Sequence, residues 1–325
     1  VIITDQRGHR FIDRHMYQIK KIDVYRNHPT FGKLIYPLSM LWAVLQNLYF
    51  FYHFKPSAVM GFGGYTSIPG LLAARILNIP IFIHEGNAFL GQANRFAQRF
   101  AQKIGVSFPD TKRVTDPGKI VLTGFPLRKE FHNHPVLDKQ NISDPSQLSI
   151  LVVGGSQGAE YFSKLIPEAI AQLTPQEQEK IFIRQQCRDA SMKQTTEAYS
   201  KLGCSFELKP FINDMPHAYA EADLVISRSG SSTLFEMACL GVPAIVIPFA
   251  KSAEGDQAKN AEYFLQQNAC WLVYEKDHPS QALAQIIRGV LEDPSLLRKK
   301  AEAISNLHVP HAHKVCAQTL VSLAQ

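Results

Sequence analysis

Short apolar runs rich in β-branched residues recur along this chain, and helix-length segments separate most of them. Residues 1–4, 58–60, 81–84, 120–123, 150–153, 181–184, 224–227, 244–247 and 271–273 read as strands. Residues 68–77, 92–101, 158–173, 233–240 and 256–267 read as helices between them. Strands that are continuously apolar are covered on both faces, and strands that alternate with helices pair in parallel. The pattern therefore predicts an α/β protein. A chain of 325 residues is long enough for two domains, each with its own core. The segment HPVLDKQNISDPSQ (134–147) is polar, contains two prolines and lacks helical periodicity, which marks it as the linker. The expected division is a first domain over 1–143, a second over 144–305, and a helix over 306–325 that packs back on the first.

Charge narrows the partners. The formal net charge of +6 favours nucleic acid, an anionic membrane or a phosphorylated ligand. The basic residues are thinly spread and no recognition motif accompanies them, so nucleic acid is set aside. A hydrophobic fraction of 46% with 19% charged residues suits a globular chain rather than a disordered one. Cys187, Cys204, Cys239, Cys270 and Cys316 are scattered without a Cys-x-x-Cys pair. That argues against a disulfide framework or a zinc site, and for a reducing cytosol. No signal peptide is present, and the chain opens on Val1 within a strand-like run, so its natural beginning is expected to lie upstream.

Residues 34–54, LIYPLSMLWAVLQNLYFFYHF, form the most apolar stretch. Its length is borderline for a membrane span, which needs about 20 apolar residues. Ser39, Gln46 and His53 recur at seven-residue spacing, with Asn47 beside Gln46, leaving one narrow polar stripe. One reading is a helix buried on both sides. The other packs one side on the sheet and turns aromatics such as Trp42 and Phe50 to lipid, with Lys20, Lys21, Arg26 and Lys33 meeting anionic head groups. A span fits least, because a spanning helix could not also pack on its own sheet.

Three turns carry the chemistry. SILVVGGSQGAEYF (149–162) runs from a buried strand through Gly154, Gly155, Ser156, Gln157 and Gly158 into a helix. Free N–H groups at such a helix start hold phosphate oxygens, although an ordinary tight turn also favours glycine. GFGGYTSIPG (61–70) occupies the same strand-to-helix position in the first half. Two such turns at strand C-termini suit a cleft between two open sheets. In SRSGSSTLFE (227–236), small hydroxyl residues crowd a helix start, and Glu236 follows about one turn later. The hydroxyls and amides suit a diphosphate, and the carboxylate suits both hydroxyls of a ribose. A serine-capped helix with an acidic turn is the plainer alternative. No Asp-x-Asp follows a strand, so no metal or other cofactor is expected, and helix N-termini with arginine would neutralise the phosphates.

Taken together and in order, GFGGYTSIPG, HEGN (84–87), GFPLR (124–128), VVGGSQGA (152–159), FINDM (211–215), SRSGSSTLFEMACLGVPAIVIPF (227–249) and DQAKNA (256–261) resemble the MurG family. The resemblance runs from near residue 1 to the final helices. It implies a GT-B fold, two Rossmann-like parallel-sheet domains facing a cleft, and an inverting, peripheral-membrane transferase on the cytoplasmic face of the bacterial inner membrane. The donor implied is UDP-GlcNAc, and the acceptor is undecaprenyl-diphosphate-MurNAc-pentapeptide of peptidoglycan synthesis.

The resemblance places Asn87 at the GlcNAc and Arg128 and Ser156 round the diphosphate. Ile212 meets the uracil through its backbone, and Ser231, Ser232 and Thr233, with Leu234 and Phe235 in the same run, line the phosphates and nucleoside. Glu236 takes the ribose, Gln257 the sugar, and Tyr65 and Ser67 belong to the acceptor side. Asp256 stands where the family often has a second glutamine. The family also opens on a strand, a Gly-Gly-Thr-Gly-Gly-His loop and a helix, none of which this sequence contains before Val1. The first domain is accordingly expected to be incomplete, with the favoured general base missing and the catalytic residue unassigned. His84 and Glu85 are the nearest substitutes, with positioning of Asn87 as their expected role. A fragment that only binds UDP-sugar and membrane, a UDP-GlcNAc epimerase and a lipid glucosyltransferase are the alternatives.

Overall fold

The computed structural model describes residues 1–6, 8–12, 16–22, 32–132 and 147–325. They form two compact units, Val1–Pro126 with His311–Gln325, and Leu127–Pro310.

In the first unit, β1 (Ile2–Thr4) and β2 (Ile19–Lys21) make a parallel pair. Helix α1 (Gly32–Phe54) follows, then β3 (Val59–Gly61), α2 (Ile68–Ile76), β4 (Ile81–Glu85), α3 (Gln92–Ala97), β5 (Lys103–Val106) and β6 (Ile120–Leu122). Strands β3 to β6 lie in sequence order in one parallel sheet. Ile81, Ile83, Ile104 and Val106 of that sheet share a core with Phe51 of α1 and Leu71, Ala73 and Ala74 of α2. Strand β5 has no counterpart among the expected strands. Its Gly105 weakens the local strand signal, yet a Cβ there would lie 2.7 Å from Cζ of Phe82 and 3.0 Å from Cγ2 of Thr123. Glycine is what allows β5 to sit between β4 and β6, and only the assembled sheet reveals this.

Helix α1 divides into two faces. Ser39, Ala43, Val44, Asn47 and Phe51 are buried, at the i, i+4 spacing of a core stripe. On the buried side Ser39 donates to the carbonyl of Tyr36 (2.9 Å) and Asn47 Nδ2 to that of Ala43 (2.7 Å), while Asn47 Oδ1 is buried with no hydrogen-bond partner among the described residues. Leu38, Leu41, Trp42, Leu45, Tyr49 and Tyr52 make a second stripe at helical spacing, and all six are exposed. Phe50 differs from the expectation that it faces outward with Trp42. It stacks on Phe54 at 5.2 Å, lies under the Lys20 ammonium and packs against the core. Among the described residues no helix is long and apolar enough to cross a membrane.

The second unit begins at α4 (Lys129–His132), ahead of the polar segment 134–147, which lies outside the described residues except at Gln147. Phe131 of α4 is buried here, its ring 6.2 Å from that of Tyr219. The chain continues through β7 (Leu148–Val153), α5 (Gly155–Ile170), α6 (Pro175–Glu179), β8 (Ile181–Gln186), α7 (Asp189–Tyr199), β9 (Ser205–Lys209), α8 (Met215–Ala220) and β10 (Leu224–Ser227). Then come α9 (Ser231–Leu240), β11 (Ala244–Val246), α10 (Asp256–Gln266), β12 (Trp271–Leu272), α11 (Pro279–Glu292) and α12 (Ser295–Ser305). Helix α13 (Ala312–Ala324) belongs to the first unit.

The six strands are all parallel, in the order β12-β11-β10-β7-β8-β9. Strand β9 also lacks an expected counterpart. It is the sheet edge, and its polar Glu207 is held by Arg184 of β8 at 2.7 Å rather than buried in apolar contact. The chain leaves β7 toward β8 and returns at β10 on the other side, so order reverses between β7 and β10. Ligands bind outside the strand C-termini at such a reversal.

Candidate functional site

At that reversal, the turns after β7 and β10 open into a cavity of about 800 Å³ in the second unit. Arg128, Ile212, Ser232, Thr233, Glu236 and Gln257 line it together, as do Gly154, Tyr219, Arg188 and Arg228. Helix α5 starts at Gly155, three residues ahead of the expected 158, so the glycine turn itself forms the helix N-terminus. Ser156 lies in the first turn of that helix. Helix α9 starts after Gly230, and no side chain caps it. Its first amides, including those of Ser231, Ser232 and Thr233, are therefore left for a ligand at the positive end of the helix dipole. Leu234 and Phe235 point the other way, buried in the core, with Phe235 edge-on to Phe264. Any contact they make with a donor is through backbone.

Glu236 is the one carboxylate among the lining residues. Arg128 Nη2 donates to its Oε1 at 3.4 Å, and the buried Tyr219 hydroxyl donates to its Oε2 at 3.4 Å. Burial pushes the Glu236 carboxyl above its ordinary range, and Arg128 and Tyr219 pull it partly back. Ile212 makes no backbone hydrogen bond among the described residues. Gln257 Oε1 accepts from the Phe249 N–H (2.9 Å), while Asp256 uses its carboxylate on the Gln257 N–H (2.8 Å) at the start of α10. Asp256 is thus committed to its own helix.

Tyr219, Arg188 and Arg228 were not singled out as sites in the sequence. Tyr219 sits in an ordinary-looking helix, Arg188 follows a strand without a motif, and Arg228 lies within a run whose hydroxyl residues drew the reading. Arg128 and Arg188 bring positive charge to the lining, alongside the free amides at the start of α9, whereas the Arg228 charge is matched by Glu275 at 2.6 Å. UDP-GlcNAc affinity is expected to stay within about twofold when excess EDTA is added, as measured by calorimetry. Loss of binding in EDTA with recovery on adding Mg²⁺ would refute this.

The remaining sequence-derived residues belong to the first unit. Gly63 and Gly64 adopt φ of +77° and +71°, the left-handed region that glycine enters without a Cβ penalty. They turn the chain after β3 so that the Tyr65 hydroxyl donates to Asp5 Oδ2 (3.2 Å) and Ser67 Oγ to the Gly64 carbonyl (2.8 Å). Glu85, buried at the end of β4, accepts from the amide and side chain of Asn87 with Oε1 (3.0 and 3.2 Å). Its Oε2 accepts from the Gly91 amide and Asn94 Nδ2 (2.8 and 3.0 Å). All four contacts fix the loop that carries Asn87. His84 is buried, its Nε2 3.0 Å from the Gly124 carbonyl, and burial lowers its pKa.

Both units are parallel-sheet α/β, and the whole chain superposes on a crystal structure of Acinetobacter baumannii MurG with a TM-score of 0.81 and 28% identity. That match covers 98% of this chain and 90% of the other, and it makes this a GT-B fold. A UDP-GlcNAc 2-epimerase from Neisseria meningitidis, bound to UDP-GlcNAc, shares the fold alone, at a TM-score of 0.66 and 14% identity over 98% of this chain and 91% of that one. Residues 1–106 match the N-terminal domain of glycosyltransferase family 28, and 149–315 match its C-terminal domain. A relative from Brucella abortus strain S19 is 33% identical over 99% of this chain and 86% of its own. It is the UDP-N-acetylglucosamine–N-acetylmuramyl-(pentapeptide) pyrophosphoryl-undecaprenol N-acetylglucosamine transferase. The chain belongs to glycosyltransferase family 28, within its MurG branch.

Proposed function

We propose that this enzyme, a UDP-GlcNAc-dependent transferase of lipid II formation, holds its donor in the second-unit cavity. There it would deliver GlcNAc with inversion to the MurNAc of undecaprenyl-diphosphate-MurNAc-pentapeptide. The observation that carries this reading is the convergence of Arg128, the uncapped start of α9 and Glu236 on one cavity. Glu236 accepts both ribose hydroxyls, Ile212 pairs with the uracil through its backbone, and Ser231, Ser232 and Thr233 hold the phosphates and nucleoside. Arg128 and Ser156 complete the diphosphate site, and Gln257 and Asn87 meet the GlcNAc. Tyr65 and Ser67 belong to the acceptor side.

The acceptor hydroxyl attacks the anomeric carbon while a general base takes its proton, the bond from that carbon to the diphosphate oxygen breaks, and UDP departs carrying the negative charge. Arg128 and the α9 amides stabilise that charge more in the transition state than in the bound donor. The test is GlcNAc transfer to a lipid-diphosphate acceptor, with anomeric configuration read by NMR. A β-linked product formed only with acceptor present is expected; epimerised donor without acceptor would overturn the reading.

Ribose hydroxyls donate to the ionised form of Glu236, so binding requires the carboxylate. Its pKa is raised, so UDP affinity is full above that pKa and falls as pH drops through it. The fall begins above the ordinary glutamate value of about 4.3. Glu236→Gln should flatten the profile, and an unchanged slope in that variant would show another group titrating.

The exposed apolar stripe of α1 lies on the same helix face from Leu38 to Tyr52. It would seat the enzyme peripherally on an anionic bilayer, where its acceptor resides.

A further inference from the structure

One ion pair beside the donor cavity, its arginine buried and its glutamate half-buried, has no role in the contacts above. Arg228, just after β10, is buried, and its Nη1 lies 2.6 Å from Glu275 Oε1. The same Nη1 donates to the carbonyls of Ile247 (3.1 Å) and Pro248 (3.3 Å). The guanidinium is surrounded by the rings of Tyr161, Phe162 and Phe249, at 4.6, 5.0 and 5.5 Å. Its Nε is buried with no hydrogen-bond partner among the described residues. Burying such a pair costs several kcal/mol of desolvation per ion, and apolar packing generally stabilises as well. Its effect here is geometric: one side chain ties together the segments that follow β10, β11 and β12.

The tied segment leads directly to the sugar end of the cavity. Phe249, next after Pro248, donates its N–H to Gln257 Oε1 at 2.9 Å. A backbone N–H can only donate, so it must face the amide oxygen and leave Nε2 as the end presented to a ligand. From the other side, Ser229, next after Arg228, donates its hydroxyl to the Gln257 carbonyl at 2.8 Å, and Asn260 Nδ2 donates to the Ser229 carbonyl at 3.2 Å. Both supports of Gln257 thus start from residues adjoining the Arg228 anchor.

We infer that Arg228 and Glu275 are positioning residues that hold the Gln257 amide with its donor end toward the transferred sugar, and so set the preference for UDP-sugar over UDP. This rests on the reading of Gln257 as the sugar contact. A neutral hydrogen bond is worth about fivefold in affinity.

The test compares UDP-GlcNAc and UDP by calorimetry on the full chain, taking the ratio of their affinities. Gln257→Ala should lower that ratio about fivefold. Arg228→Lys and Glu275→Gln should each lower it in the same direction, and combined with Gln257→Ala should lower it no further. A purely structural pair would weaken both ligands alike and leave the ratio unmoved. If Arg228→Lys does not fold, Glu275→Gln, at a residue outside the cavity lining, carries the test alone. A ratio that drops in Gln257→Ala but in neither ion-pair variant, or additive double variants, would overturn the inference and leave the sugar contact standing. An unchanged ratio in Gln257→Ala would remove the sugar contact and the inference together.

Discussion

Glu236→Ala is expected to weaken UDP binding by about a hundredfold, the largest single loss anticipated in the donor cavity. The half-buried carboxylate would accept two charge-assisted hydrogen bonds from the ribose, each worth about 1.5–3 kcal/mol. Part of that is offset, because Arg128 now rests on Glu236 and must be shared or released when the ligand enters. Alanine removes this competition as well as the ribose contacts, which keeps the expected loss nearer one strong bond and a fraction than two in full. Free uracil has no ribose and should be affected little. Calorimetric titration of both ligands against the wild type and variant gives the answer, and equal losses for the two would remove the ribose assignment. Tyr219→Phe, which deletes the hydroxyl that donates to Oε2, should fall between wild type and Glu236→Ala in UDP affinity.

Replacing Trp42 and Tyr49 together by serine should lower binding to anionic vesicles by about tenfold or more, since burying a large apolar side chain is worth about 1.5–3 kcal/mol. The pair follows from the fold. Trp42 is 57% and Tyr49 70% exposed on the outer stripe of α1, whereas Phe50 is half-buried and packs against the core. Both substitutions therefore leave the core intact, and thermal stability should move little. Interfacial attachment also has a charge component, so high salt should weaken binding and carbonate should release the protein. Vesicle co-sedimentation with and without phosphatidylglycerol reads both effects. Unchanged sedimentation of the double variant would show that α1 is not the membrane face. A Phe50→Ser control should instead lower thermal stability, because it opens the contact with Phe54 and the core.

The α/β class and most strands were legible from apolar runs, because a strand buried on both faces leaves a nearly continuous apolar signature. Three strands escaped, β2, β5 and β9, and the last two lack that signature for physical reasons. In β5, glycine replaces a side chain that Phe82 would exclude, and β9 is an edge whose Glu207 is held by a cross-strand arginine. The lining of the candidate cavity was legible where chemistry is concentrated in one turn, as in the run from Ser227 to Glu236 and the glycine turn after β7.

What the sequence by itself determined is therefore the local chemistry: glycines where φ is positive after β3, hydroxyl residues at a helix start, and a carboxylate one turn later. These depend on neighbours a few residues away, which any reader of the chain can see. Tertiary structure alone decided the partners. Arg128 and Tyr219 reach Glu236 from 108 and 17 residues away, and Arg228 meets Glu275 across two intervening strands and helices. It also decided that Phe50 is half-buried against the core while Trp42 is surface, on one helix apolar nearly all round. The reason is the same in each case. A side chain's role here is set by what the parallel crossovers bring beside it, and helical or strand periodicity encodes only which face it occupies.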